Sequence, residues 1–200
     1  MFEKQIVIDA KGHIMGRLGA VIAKELLNGQ RVIVVRAEKL VLSGSLFRKQ
    51  TEYMEFLSKS ASKNPKRGGP YHYKSPSKLF WRTIRGMVPH KTARGKAALE
   101  RLKIFEGMPY PYSHEKKTCV PKALKTLRLG ANRKFCLLKQ VSEHAGWSKV
   151  PLIEKLEEKR EQKAHEYHDK KTKLNNAIDN EVNKLPEVQK LRKQLEAFGY

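Results

Sequence analysis

The sequence predicts an α/β protein with a small parallel sheet, basic loops and a long helical extension at its C-terminal end. Three observations predict it. Residues 5–36 read as strand, helix, strand; the second strand is apolar without alternation; and the chain's excess of positive charge stops near residue 150. A strand covered on both faces reads as a continuous apolar run, and a strand–helix–strand unit returns as a parallel pair with a right-handed crossover.

Residues 5–9 (Gln-Ile-Val-Ile-Asp) form the first short β-branched run, followed by a turn at 10–13. From about 15 to 27, Leu18, Val21, Ile22 and Leu26 recur at helical spacing, and Asn28-Gly29 supplies the stop. Residues 31–36 (Arg-Val-Ile-Val-Val-Arg) are the covered strand, and a shorter strand at 40–42 ends at Ser43-Gly44-Ser45. A helix over 47–59 should turn Tyr53, Phe56 and Leu57 inward, and 58–70 is a basic loop without apolar period. Residues 75–85 read as a capped helix with Leu79, Phe80 and Ile84 on one side and Lys78, Arg82 and Arg85 on the other. Residues 92–103 read as a second basic helix, and 105–112 as a turn rich in glycine, proline and aromatic rings.

The extension opens with Leu152, Ile153 and Leu156, then offers only Ala164 and Tyr167 as apolar residues between 157 and 173. Pairs such as Glu166 with Lys170 and Asp169 with Lys173 should support that stretch, each by about 0.2–0.5 kcal/mol. A narrow stripe at Leu174, Ile178, Val182 and Leu185 follows, and Pro186 should end the helix. On composition, this is a solvated helix leaving the body; the sharper reading is docking on RNA or a neighbouring protein.

Charge narrows the function. The 200 residues hold 42 Lys+Arg and 20 Asp+Glu, a net charge of +22. Residues 1–150 carry +21 of it and 151–200 only +1, so the chain divides into an α/β body at 1–150 and an extension at 151–200. The extreme is 58–134, with 20 basic residues against Glu100, Glu106 and Glu115. Such a charge calls for a polyanion, and counterion release from nucleic acid drives that association. No run approaches the roughly 18 apolar residues of a membrane span, and the N-terminus lacks the plan of a signal peptide, so a cytosolic or nuclear chain is expected. The basic residues of 58–134 alternate with rings and glycines, which suits structured RNA: cations reach phosphates while Tyr71, His72, Tyr73 and Tyr110 are placed to stack on splayed bases or sugars.

Catalytic signatures are weak. Gly12, Gly16 and Gly19 follow neither the P-loop nor the dinucleotide spacing, and they suit turn geometry and helix packing better. The seven histidines include no His-Glu-x-x-His, and Asp9 lacks a catalytic partner, so a cap or turn role fits it. Cys119 and Cys136 lie 17 residues apart with no second ligand pair, which argues against a zinc site and, in a reducing compartment, against a disulfide. No catalytic residue, metal or cofactor is expected. The competing readings are an α/β enzyme acting on nucleic acid or nucleotides, which needs a carboxylate or metal cluster, and a DNA binder, which needs a preference for duplex DNA.

Three blocks carry a resemblance. They are 9–24 (Asp-Ala-Lys-Gly-His-Ile-Met-Gly-Arg-Leu-Gly-Ala-Val-Ile-Ala-Lys), 35–44 (Val-Arg-Ala-Glu-Lys-Leu-Val-Leu-Ser-Gly) and 80–95 (Phe-Trp-Arg-Thr-Ile-Arg-Gly-Met-Val-Pro-His-Lys-Thr-Ala-Arg-Gly), with 98–103 (Ala-Leu-Glu-Arg-Leu-Lys) after them. In order and spacing they resemble the thirteenth large-subunit ribosomal protein family over about residues 4–145, and the tail after Trp147 resembles the eukaryotic cytosolic branch. The resemblance implies a three-layer α/β/α body, ribosomal RNA as the main partner, and a structural role in the large subunit, assembled in the nucleolus and working in the cytosol. Neighbouring ribosomal proteins are the expected partners of the extension; no membrane or small-molecule substrate is expected. By matching position, Arg82, Arg85, His90, Lys91, Arg94 and Lys96 are the implied RNA contacts. Arg17, Arg48, Lys49, Lys66, Arg67, His72, Lys74, Lys78, Arg101 and Lys103 complete the expected RNA-binding set.

Overall fold

Leu18, Ile22 and Leu26 lie on one stripe of the first helix, and all three are fully buried, so that helix is pressed against the sheet along its length. The computed structural model describes residues 4–64, 66 and 68–198. The elements of the body are β1 (Ile6–Asp9), α1 (Met15–Asn28), β2 (Val32–Val35), β3 (Val41–Ser43), α2 (Leu46–Ser58), α3 (Pro76–Met87), α4 (Ala93–Glu100), β4 (Leu102–Ile104), α5 (Tyr110–Ser113), β5 (Lys117–Thr118), α6 (Lys125–Arg128), β6 (Phe135–Leu137) and α7 (Leu138–His144). Single 3-10 turns at Ala37–Lys39 and Pro121–Ala123 link them.

The main sheet has the order β4-β2-β1-β5, and every pairing in it is parallel. Ile6 to Asp9 pair residue for residue with Val32 to Val35, the crossover that the strand–helix–strand pattern implies. β3 and β6 form a separate antiparallel pair, Val41 opposite Leu137. One sheet face, through Ile8, Val32 and Val34, joins Leu18, Ile22, Phe80 and Ile84 in the main core. The other, through Val7, Ile33 and Val35, is covered by Phe105, Met108 and Tyr112. The third layer is therefore slight: a loop and the single turn α5.

Where α1 crosses α3, Gly19 allows the approach, since a Cβ there would meet the Met87 sulfur at 3.4 Å. Gly95 is more constrained, because a Cβ would overlap the Pro89 carbonyl. That contact seats α4 on the end of the α3 connection, and the Thr92 hydroxyl caps it by accepting from the Gly95 N–H at 3.2 Å.

Several local expectations are corrected. The helix expected over 92–103 stops at Glu100, and Leu102 to Ile104 become an edge strand paired with Val32 to Val34. Three residues of strand attached to a helix carry no period of their own; the neighbouring strand's free edge decides. Within the turn expected at 105–112, Tyr110–Ser113 closes one helical turn. The N-terminus of α3 has no cap bond from Ser75; the Glu106 carboxylate instead accepts from the Ser77 N–H at 3.1 Å and from its hydroxyl at 2.5 Å. A carboxylate at that end also meets the positive pole of the helix dipole. The inward face of α2 is only half-buried at Tyr53, Phe56 and Leu57.

Asp9 serves the turn after β1. Its carboxylate accepts from the Lys11 N–H at 3.0 Å and pairs with Arg36, which sits in the left-handed region at φ 57°. Burial works to raise its pKa, but the Arg36 and Lys11 hydrogen bonds and the Arg36 charge outweigh it, leaving the carboxyl below 3.8. His13 is buried beside this turn. Its Nδ1 donates to the Lys11 carbonyl at 3.1 Å and its Nε2 accepts from the Val120 N–H at 2.9 Å, so the ring is held neutral and burial lowers its pKa from 6.5. Both cysteines are free; Cys136 is buried, which raises its pKa, and Cys119 is exposed.

The chain divides into two units, Met1–Glu154 and Lys155–Tyr200. Helix α8 (Val150–Val182) begins in the first and fills much of the second; α9 (Pro186–Ala197) follows. Helix α8 ends before Pro186, which instead opens α9, where its missing N–H costs nothing. Asp169 lies beside His165 and His168 at 3.4 and 3.8 Å. Those three exposed residues are the only group among the described residues with metal-ligand proximity. No described helix is long and apolar enough to cross a membrane.

Candidate nucleic-acid interface

Helix α3 carries the centre of the candidate interface. Its buried side, Leu79, Phe80 and Ile84, is locked into the main core, which leaves Lys78, Arg82 and Arg85 on the opposite stripe at helical spacing. Two of the three are steadied by rings. The Lys78 ammonium stands 5.8 Å from the Trp81 ring centre, and the Arg82 guanidinium lies 3.9 Å from that of Phe56 in α2.

Two cavities meet at this stripe. A groove of about 580 Å³ between α2, α3 and α7 has Lys49, Phe56, Arg82 and Arg85 among its walls. A pocket of about 300 Å³ on the other side is lined by Tyr71, Tyr73, Trp81 and the same two arginines, with Gly69 and Pro70. Beyond Trp81, a third depression of about 260 Å³ holds Lys78 and Lys103, and a fourth of about 330 Å³ joins Lys103 to Arg101 and Arg31. Because successive cavities share walls, the cations form a band from α2 across α3 to the edge strand β4.

The aromatic loop is tied to α2. The Tyr53 hydroxyl donates to the Tyr73 carbonyl, His72 meets the Phe56 ring edge-on at 4.8 Å, and Tyr71 and Tyr73 lie near-parallel with centres 6.1 Å apart. Burial raises the Tyr53 pKa against the opposing Arg82 charge, which keeps the phenol a donor.

The remaining expected residues fall around this band. Lys91, Arg94 and Lys96 are exposed and His90 is half-buried, all about the start of α4. Lys74 is exposed, its ammonium 3.2 Å from where a Gly146 Cβ would stand. Arg48 and Lys49 both hold Glu52, at 2.9 and 2.7 Å, and these bonds, Lys49 first, lower its pKa. Arg48 and Arg17 are exposed and line none of the four cavities. Lys66 is exposed in the loop, and Arg67 lies outside the described residues.

Sequence reasoning missed Trp81, which joins two cavities, and Arg31, which extends the band. It also passed over a second basic surface at 116–134. There Lys125 lies 3.8 Å from the Phe135 ring centre, and Arg133 and Lys134 line a depression of about 360 Å³. The signal was present, since seven of the twenty basic residues of 58–134 fall there.

Comparisons with known proteins give the family of this chain. Residues 3–111 match the family described as Ribosomal protein L13. The chain is 52% identical to a large ribosomal subunit protein uL13 of Tetrahymena thermophila over 200 residues, 100% of both chains. It is 48% identical to one of Lupinus luteus over 172 residues, 86% of this chain and 83% of that one. With a match over more than half its length and such identity across most or all of each relative, the chain belongs to the ribosomal protein L13 family, whose members are structural proteins and not enzymes.

Proposed function

We propose that this large-subunit ribosomal protein binds folded ribosomal RNA through the band centred on Lys78, Arg82 and Arg85, and so supports subunit assembly and translation. The carrying observation is that helix α3 is anchored by a fully buried Phe80 while its other side presents a row of cations interleaved with rings. Function here is neutralisation and geometry: the sheet holds α3, and α3 holds charges where two RNA segments approach. His90, Lys91, Arg94 and Lys96 extend the contact from the α3–α4 connection. The body at 1–150 supplies the RNA contacts, and the extension at 151–200 faces neighbouring ribosomal proteins. Assembly takes place in the nucleolus and the assembled subunit works in the cytosol.

Sedimentation of native lysate through sucrose at low and high salt tests this. Stoichiometric presence in the large subunit after the salt wash is the expected result; a chain mainly in light fractions would overturn it. Binding to large-subunit RNA should weaken with salt, and Arg82→Ala or Arg85→Ala should each lower the slope by about one.

A further inference from the structure

The pocket between the aromatic loop and α3 has a chemistry that phosphate binding alone does not require. Its lining carries three aromatic rings, two guanidiniums and no carboxylate. Tyr71 is 72% exposed although its ring is part of an ordered pair with Tyr73. The loop that carries both rings is held before any ligand arrives, by the Tyr53 bond to the Tyr73 carbonyl and the Phe56–His72 contact. Gly69 closes the loop tightly, at φ +94° with its Cβ direction 3.2 Å from the Ala61 nitrogen. A volume of about 300 Å³ is at the lower end of sites that enclose a small ligand.

We infer that this pocket receives a single unpaired purine of the bound RNA, with its base against Tyr71 and Trp81 and its phosphodiester on Arg82 and Arg85. The inference rests on the RNA reading above and names a subsite within it. A phosphate alone would be served by the arginines, and an apolar side chain would not need them; a nucleotide uses both. Rings suit a base because every base has a π-face, and the larger purine face stacks best. Arg82 is already stacked on Phe56, so its guanidinium is fixed in direction before the ligand arrives.

The test uses the full chain and three RNA hairpins that differ at one position: a bulged guanosine, an abasic bulge and no bulge. The guanosine bulge should bind at least about fivefold tighter than the abasic one. Tyr71→Ala should remove that discrimination and Tyr71→Phe should keep it. Equal binding of guanosine and abasic bulges, with the salt slope intact, would overturn the pocket and leave the RNA reading standing. Discrimination that survives Tyr71→Ala puts the base elsewhere and overturns it too. Absence of salt-dependent binding to any hairpin would overturn both readings, and displacement of the guanosine bulge by an acidic peptide at equal charge would reassign the pocket to protein.

Discussion

The body and the extension use similar numbers of basic residues per length to different ends. Residues 1–150 hold +21 on a sheet whose core includes Leu18, Ile22, Val34 and Phe80 at 0% exposure, whereas 151–200 hold +1 on helices whose apolar stripe is uncovered. Leu174, Ile178, Val182 and Leu185 are all exposed. Charge excess in this chain therefore goes with rigidity. The cations of α3 sit where a buried face fixes the helix beneath them, and the balanced charges sit where the helix is sustained by pairs such as Arg160 with Glu157 and Glu161.

Rigidity of the body should suffer most from attack on the anchored side of α3 and α4. Phe80→Ala removes a fully buried ring and should cost about 3–5 kcal/mol of unfolding free energy. Gly95→Ala forces a Cβ into the Pro89 carbonyl and should cost about 3 kcal/mol. Gly16→Ala, with nothing within 4 Å of the new methyl, is the control and should stabilise by up to about 1 kcal/mol. Urea midpoints at constant m-value check all three.

The next effect separates charge from fold. Lys78→Ala should leave the urea midpoint within about 0.5 kcal/mol of wild type, since the side chain is exposed, yet lower the salt slope of RNA binding by about one. Lys171→Ala in α8 should change neither the midpoint nor the slope. If the two substitutions lower the slope equally, the body loses its privilege and RNA contact extends along the helix.

Acid tests the body separately, because the body buries a neutral histidine. Burial lowers the pKa of His13 below 6.5 in the folded chain, so between that lower value and 6.5 the unfolded state binds more protons. The His13 contribution is therefore whole above pH 6.5 and is lost as pH falls through the folded pKa. His13→Gln should flatten this part of the stability profile. Equal slopes with and without His13 would refute the assignment.

How much of this was legible follows from where the information lies. The first β-α-β unit could be read because Ile6 to Val35 combine continuous apolar β-branched runs with a helical stripe, both local to the sequence itself. The stripe of Lys78, Arg82 and Arg85 was legible for the same reason. Strand β4 was not, because Leu102 to Ile104 become a strand only by meeting the edge of β2. The cap on α3 was missed because Glu106 is 29 residues from Ser77 and comes near only after the chain has folded. Trp81 belongs to neither stripe read from the sequence of that helix; its place between two cavities depends on the Tyr71 loop and on Lys103.

Stability should respond least where the extension is most apolar. Leu174→Ala and Ile178→Ala remove side chains that are 60% and 50% exposed, so each should shift the stability of the free protein by less than about 0.5 kcal/mol. Their helix propensities favour the change, since alanine is the best helix former and isoleucine a weaker one. The double variant should, however, lower occupancy of the chain in salt-washed large subunits if the stripe faces a neighbouring protein there. A loss above about 1 kcal/mol in the free protein would mean that the stripe is already covered, and the contrast between an anchored body and an uncovered extension would fail at that point.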